Sequence, residues 1–96
     1  MTINELKKSG RFLFEQDMYN NTIYAGTKYY YEYQNALYCR EEPTNQLSYT
    51  GKISTYLCVE NIREDLKKYN FEYWNQMLSQ DNYTELCVLY NVKPKF

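Results

Sequence analysis

Residues 29–39 read YYYEYQNALYC, five tyrosines in eleven positions, and Arg40 follows directly. Aromatic rings beside a guanidinium can perform two kinds of recognition chemistry. They stack on unpaired bases while the cation meets phosphate, or they fill pockets in a protein partner, where Tyr, Trp and Arg carry much of the binding energy. A two-residue turn at Gln34-Asn35 would pair Tyr33 with Ala36, Tyr31 with Tyr38 and Tyr29 with Arg40. Directly opposed residues of an antiparallel pair share a face, so Tyr29, Tyr31, Tyr33, Tyr38 and Arg40 form the candidate partner-binding set, with Tyr30, Glu32, Leu37 and Cys39 on the reverse.

Other chemistry is sparse. The chain has no histidine, which removes imidazole bases, Ser-His and Cys-His nucleophile pairs and histidine metal ligands. Cys39, Cys58 and Cys87 are odd in number and contain no CxxC spacing, so reduced, mostly buried thiols are expected rather than a disulfide framework or a zinc site. Glu41-Glu42 and the group Glu60, Glu64 and Asp65 are the acidic clusters. The second is the favourable charge of a helix N-terminus, and a two-metal site would need more convergent carboxylates. Gly10, Gly26 and Gly51 are isolated, without a phosphate-cradling loop. The expectation is a non-enzyme with no metal and no cofactor.

The elements that must position the tyrosines follow from caps, turns and periodicity. Thr2 and Glu5 form a capping box and Gly10 a stop, giving a short opening helix over 3–8. RFLFEQDMY, 11–19, alternates as a strand with Phe12, Phe14 and Met18 on one face and Arg11 and Glu15 on the other. Asn20-Asn21 suits a tight turn into a second strand, 22–33, bulged at Gly26. After the strand ALYCR, EEPTNQ is a loop. LSYTGKISTYLCV, 47–59, is a fourth strand with Tyr49, Ile53, Leu57 and Val59 on one side. Asn61 and Glu64 repeat the capping signal, and Leu66, Tyr69, Tyr73, Trp74, Met77 and Leu78 trace one long helix from Ile62 to near Gln80. TELCVLYNV, 84–92, fits either element, with its unbroken apolar centre favouring a buried strand, and KPKF is an exposed tail. The expected fold is α+β: an antiparallel sheet of four to five strands, a short N-terminal helix, and one long amphipathic helix packed on one face.

Ninety-six residues support a single domain, 1–96, whose core must draw on thirteen Tyr, four Phe and one Trp. A net charge of −1 supplies no field that would gather or mimic a polyanion. No apolar run approaches a membrane span and the N-terminus opens into a polar helix, so a cytoplasmic protein without membrane contact is expected. Residues 10–26, GRFLFEQDMYNNTIYAG, resemble the GIY-YIG nuclease signature, with Gly10-Arg11-Phe12 in its first position and Tyr24-Ala25-Gly26 in its second. Phe12 stands where that pattern has tyrosine and no arginine follows until Arg40, so no catalytic residue is carried over.

The general profile is similar to that of phage or mobile-element inhibitors of host defence, such as anti-CRISPR proteins, a resemblance of type without a shared motif. It implies a non-catalytic protein that binds and inhibits another protein, for instance a host defence protein. The alternative is a single-stranded nucleic-acid or nucleotide module that stacks bases on the tyrosine face, with Arg40 or Lys28 for phosphate. Homodimerisation through an edge strand at 84–92 is a further expectation.

Overall fold

The computed structural model describes residues 1–44 and 54–96. The chain runs α1 (Ile3–Ser9), β1 (Arg11–Asn20), β2 (Ile23–Tyr33), β3 (Ala36–Pro43), β4 (Thr55–Val59), α2 (Ile62–Lys68), α3 (Phe71–Trp74) and α4 (Gln80–Leu89). The four strands among the described residues form an antiparallel meander in the order β1-β2-β3-β4.

Turn chemistry sets the registers. Gln34 and Asn35 have φ of 50° and 68°, the left-handed pair that matches the twist of a two-residue hairpin. The β2–β3 ladder then pairs Tyr33 with Ala36, Tyr31 with Tyr38 and Tyr29 with Arg40, as expected. In the first hairpin Asn20 pairs with Ile23, so the turn is Asn21-Thr22, one residue later than expected, with Asn21 at φ 59°.

Two bulges redistribute the apolar side chains. Leu13 is an extra residue between the pairs Phe12–Tyr31 and Phe14–Tyr30. Phe12 therefore faces the tyrosine side while Phe14 enters the core, and the simple alternation of Phe12 with Phe14 and Met18 fails there. Ala25 is extra between Tyr24 and Gly26, and Gly26 adopts φ 136°. A Cβ at Gly26 would meet the Glu42 carbonyl oxygen and lie 2.7 Å from the Pro43 Cα, so β3 passes where only glycine fits.

In β4 the register shifts between Tyr38–Leu57 and Leu37–Val59. Leu57 thus lies on the tyrosine side and Val59 in the core, correcting the expectation that they share a side, while Tyr49 and Ile53 lie outside the described residues. β3 also runs on through Glu41, Glu42 and Pro43, which the sequence assigned to a loop.

The expected long helix is broken. α2 ends at Tyr69, whose backbone is extended, and Asn70 starts α3 by accepting the Glu72 amide at 3.1 Å. Ser79 then starts α4 by accepting the Asn82 amide at 3.2 Å. Short polar side chains compete with the helical ladder for backbone donors, and here they reset it twice. The apolar stripe survives the breaks: Leu66, Trp74 and Leu78 are buried, with Tyr69, Tyr73 and Met77 packed around them.

Residues 84–92, which the sequence left open between helix and strand while favouring a strand, carry the later part of α4 and the turn after it. Tyr83, Leu86, Cys87 and Tyr90 are buried at helical spacing while Val88 and Leu89 face solvent. That segment therefore offers no edge strand for dimerisation, and among the described residues β1 and β4 are the outer strands of the sheet. The tail is exposed at Lys93, Lys95 and Phe96, as expected, yet tied down through its backbone. Lys95 accepts the Phe71 amide at 2.7 Å and donates its own amide to the Tyr83 hydroxyl at 2.9 Å, and Phe96 packs on Phe71 and Tyr83.

The helical layer covers the sheet face that carries Phe14, Tyr30, Leu37, Cys39 and Val59. Tyr30 spans the layers, donating its hydroxyl to the Met77 carbonyl at 2.7 Å. Among the described residues no helix is long and apolar enough to cross a membrane.

Candidate interaction surface

The opposite face of the sheet holds all five candidate residues, and α1 decides which are reachable. Thr55 is paired with Arg40, so its side chain points to the tyrosine side, and its hydroxyl donates to the Met1 carbonyl at 2.8 Å. At the other end Gly10 hands the chain to Arg11, the partner of Glu32. α1 therefore crosses this face from β4 to β1. Thr2 caps it through the Glu5 amide at 3.1 Å, as the sequence indicated, and Leu6 beneath it is fully buried, apart from the main core.

The cover separates the five residues. Tyr31 and Arg40 are each only 7 % exposed, whereas Tyr29, Tyr33 and Tyr38 are half-buried. Arg40 is committed inside the fold: its guanidinium lies 4.1 Å from the Tyr29 ring centre, Nε donates to the Tyr31 hydroxyl at 3.4 Å and Nη1 to Glu42 at 2.5 Å. Burial disfavours its charge, but the hydrogen bonds to Tyr31 and Glu42 more than offset this and hold its pKa above the ordinary value. The same contact holds the Glu42 carboxyl below the usual carboxylate range. Burial, aided by the nearby Glu42 and Glu15 charges, pushes the Tyr29 phenol up.

What remains open lies outside the residues the sequence singled out. Along the rung Phe12–Tyr31–Tyr38–Leu57 the outer members are exposed, Phe12 by 52 % and Leu57 by half. α4 meets β1 at Gln16, which accepts the Ser79 amide at 2.9 Å and an Asn82 amide hydrogen at 3.2 Å. Past this point Tyr19, Ile23 and Tyr24 are 61 %, 71 % and 44 % exposed.

Tyr24 is nonetheless held. Its hydroxyl bonds Thr27, which donates to Asp17 at 3.2 Å, and its ring meets Tyr19 edge-on at 5.9 Å. A ring fixed before binding loses little conformational freedom on binding. The available signal was strand length: β1 and β2 run ten and eleven residues, so one end of their hairpin outreaches the layer packed on it.

The remaining candidates are dispersed. Phe12 and Tyr24, the two positions of the nuclease resemblance, lie at opposite ends of the hairpin. Glu64 sits in the first turn of α2, whose cap Asn61 accepts the Glu64 amide at 3.1 Å. Among the described residues no three His, Cys, Asp or Glu side chains converge on one point. Compared with protein-family models, curated proteins and solved structures, the chain finds no match.

Proposed function

We propose that the chain is a small, cytoplasmic, non-catalytic interaction protein that binds another protein and inhibits it, in the manner of phage or mobile-element inhibitors of host defence. The observation that carries this reading is the exposed apolar end of the β1–β2 hairpin, where Tyr19 and the hydroxyl-anchored Tyr24 share one face and Ile23 takes the other. Large apolar side chains gathered in the open at one end of a small protein are the kind of surface that marks an interaction site. Tyr29, Tyr33 and Tyr38 are half-buried and Tyr31 and Arg40 buried further along the same sheet, with Tyr31 at the Phe12 end of the hairpin, away from this tip. The sequestration of Arg40, with Glu15, Asp17 and Glu42 on the same side, weighs against phosphate binding and hence against the base-stacking alternative.

The test is affinity capture of the tagged chain from a lysate of the cell that makes it, with and without nuclease, beside the variant Tyr19→Ser plus Ile23→Ser. A stoichiometric protein partner that survives nuclease and is lost with the variant supports the reading. A partner retained at full yield by the variant, or nucleic acid recovered alone and lost with nuclease, overturns it.

A further inference from the structure

A second site lies on the other side of the sheet. Lys28, Glu41, Cys39, Cys58, Tyr56 and Met77 line a cleft of about 230 Å³ between the strands and the turn that follows α3. Both cysteines are free thiols, Cys39 buried and Cys58 half-buried. The β4 bulge brings them together. Cys39 pairs with Tyr56, and Cys58 is the extra residue between the Tyr38–Leu57 and Leu37–Val59 pairs, so the irregularity turns it toward the face of Cys39. Both cysteines line this one cleft. Their proximity holds the Cys58 pKa below that of an ordinary thiol, while Cys58 and burial push Cys39 above it. Lys28 at the mouth, 3.9 Å from Glu41, favours the thiolate while burial and the Glu41 charge oppose it, the net direction for Cys58 being downward. Cys87 differs on each count: it is fully buried and burial raises its pKa.

We propose that Cys58 and Cys39 form a thiol–disulfide exchange site for low-molecular-weight disulfides of the glutathione class, with Cys58 as the attacking sulfur and Cys39 as the resolving one. The Cys58 thiolate attacks one sulfur of the small disulfide. A mixed disulfide forms on Cys58 and the first small thiol leaves as thiolate, taking up a proton. Cys39, deprotonated, then attacks the Cys58 sulfur and expels the second small thiol. Two protein thiols are oxidised to one Cys39–Cys58 bond while one small disulfide is reduced to two thiols. A half-buried, activated cysteine beside a buried partner is the arrangement that makes such oxidation selective and reversible. The product bond would tie the edge strand β4 to β3 at its bulge.

The experiment incubates the folded full-length chain with oxidised glutathione, traps remaining thiols by alkylation, and maps the products by intact mass and peptide analysis. Loss of two hydrogens from the chain, a linked Cys39–Cys58 peptide, and Cys87 left free to alkylate after unfolding is the expected result. Cys39→Ser should stop at glutathione held on Cys58, and Cys58→Ser should react at least about tenfold more slowly than the unaltered chain. The proposal is overturned if the unaltered chain retains glutathione on Cys58 without forming the internal bond, if Cys87 reacts as fast as Cys58, or if the folded chain does not react. These readouts on the unaltered chain stand even where a variant folds poorly.

Discussion

Arg40 shows how a residue that looks like a binding group can be spent on structure. Its flat guanidinium stacks on Tyr29 and reaches two oxygen acceptors at once, a geometry a lysine ammonium cannot reproduce. Arg40→Lys should cost about 1–2 kcal/mol of unfolding free energy, read from urea denaturation. Its partner makes the interaction pH-dependent. Glu42 has a lower pKa folded than unfolded, so the pair's contribution is fully present above the unfolded glutamate value of about 4.3 and is lost as pH falls through the lower folded value. The urea midpoints of the unaltered chain and of Glu42→Gln should differ at neutral pH and converge below about pH 4; a constant gap would contradict the pairing. The Tyr29–Arg40 pairing was legible, because Gln34-Asn35 is a strong two-residue turn and a two-residue turn determines every partner after it. The burial of Arg40 was not, because it depends on a helix from the other end of the chain.

At the scale of elements, α1 is a cover held by one buried side chain and a capped end. Leu6→Ala should cost about 2–4 kcal/mol and make Tyr31 accessible to acrylamide quenching, with the core around Trp74 retained. The helical layer depends on its caps, and Asn70→Ala should lose about 1 kcal/mol in the same denaturation assay. At Gly26 an alanine would meet the β3 backbone in a left-handed conformation, so Gly26→Ala should be destabilising by about 2 kcal/mol or more. The opening helix, the β2–β3 register and the apolar stripe from Leu66 to Leu78 were visible in the sequence, whereas the turn position and the Leu13 bulge of the first hairpin were not. The breaks at Asn70 and Ser79 were hidden because no glycine or proline marks them. α4 was left undecided, with a lean toward strand, because exposed Val88 and Leu89 fill in the polar side of its period.

The whole molecule is thin, 42 by 32 by 15 Å along its principal axes, with helices on one side of the sheet and α1 across the other. Such a plate cannot cover both faces of its longest hairpin, and the apolar tip is the part left over. Changing Tyr19 and Ile23 to serine should therefore shift unfolding free energy by no more than about 0.5 kcal/mol, as expected of exposed positions outside the packed layers. Composition showed that tyrosine dominates the large side chains but not which tyrosines stay in the open. That is decided by layer geometry, which thirteen similar rings in one sequence do not reveal.

The carbonyl of Asn35, in the tight turn between β2 and β3, accepts the Ile62 amide at 2.8 Å. Ile62 opens α2, where backbone donors have no partner within their own helix. The deuterium uptake of this amide is therefore gated by a hairpin distant in the chain, and it should slow only when that hairpin is closed. A single resonance at the start of a helix would thus report the opening of the tyrosine ladder, and its exchange rate would separate loss of the sheet from fraying of the helices packed on it.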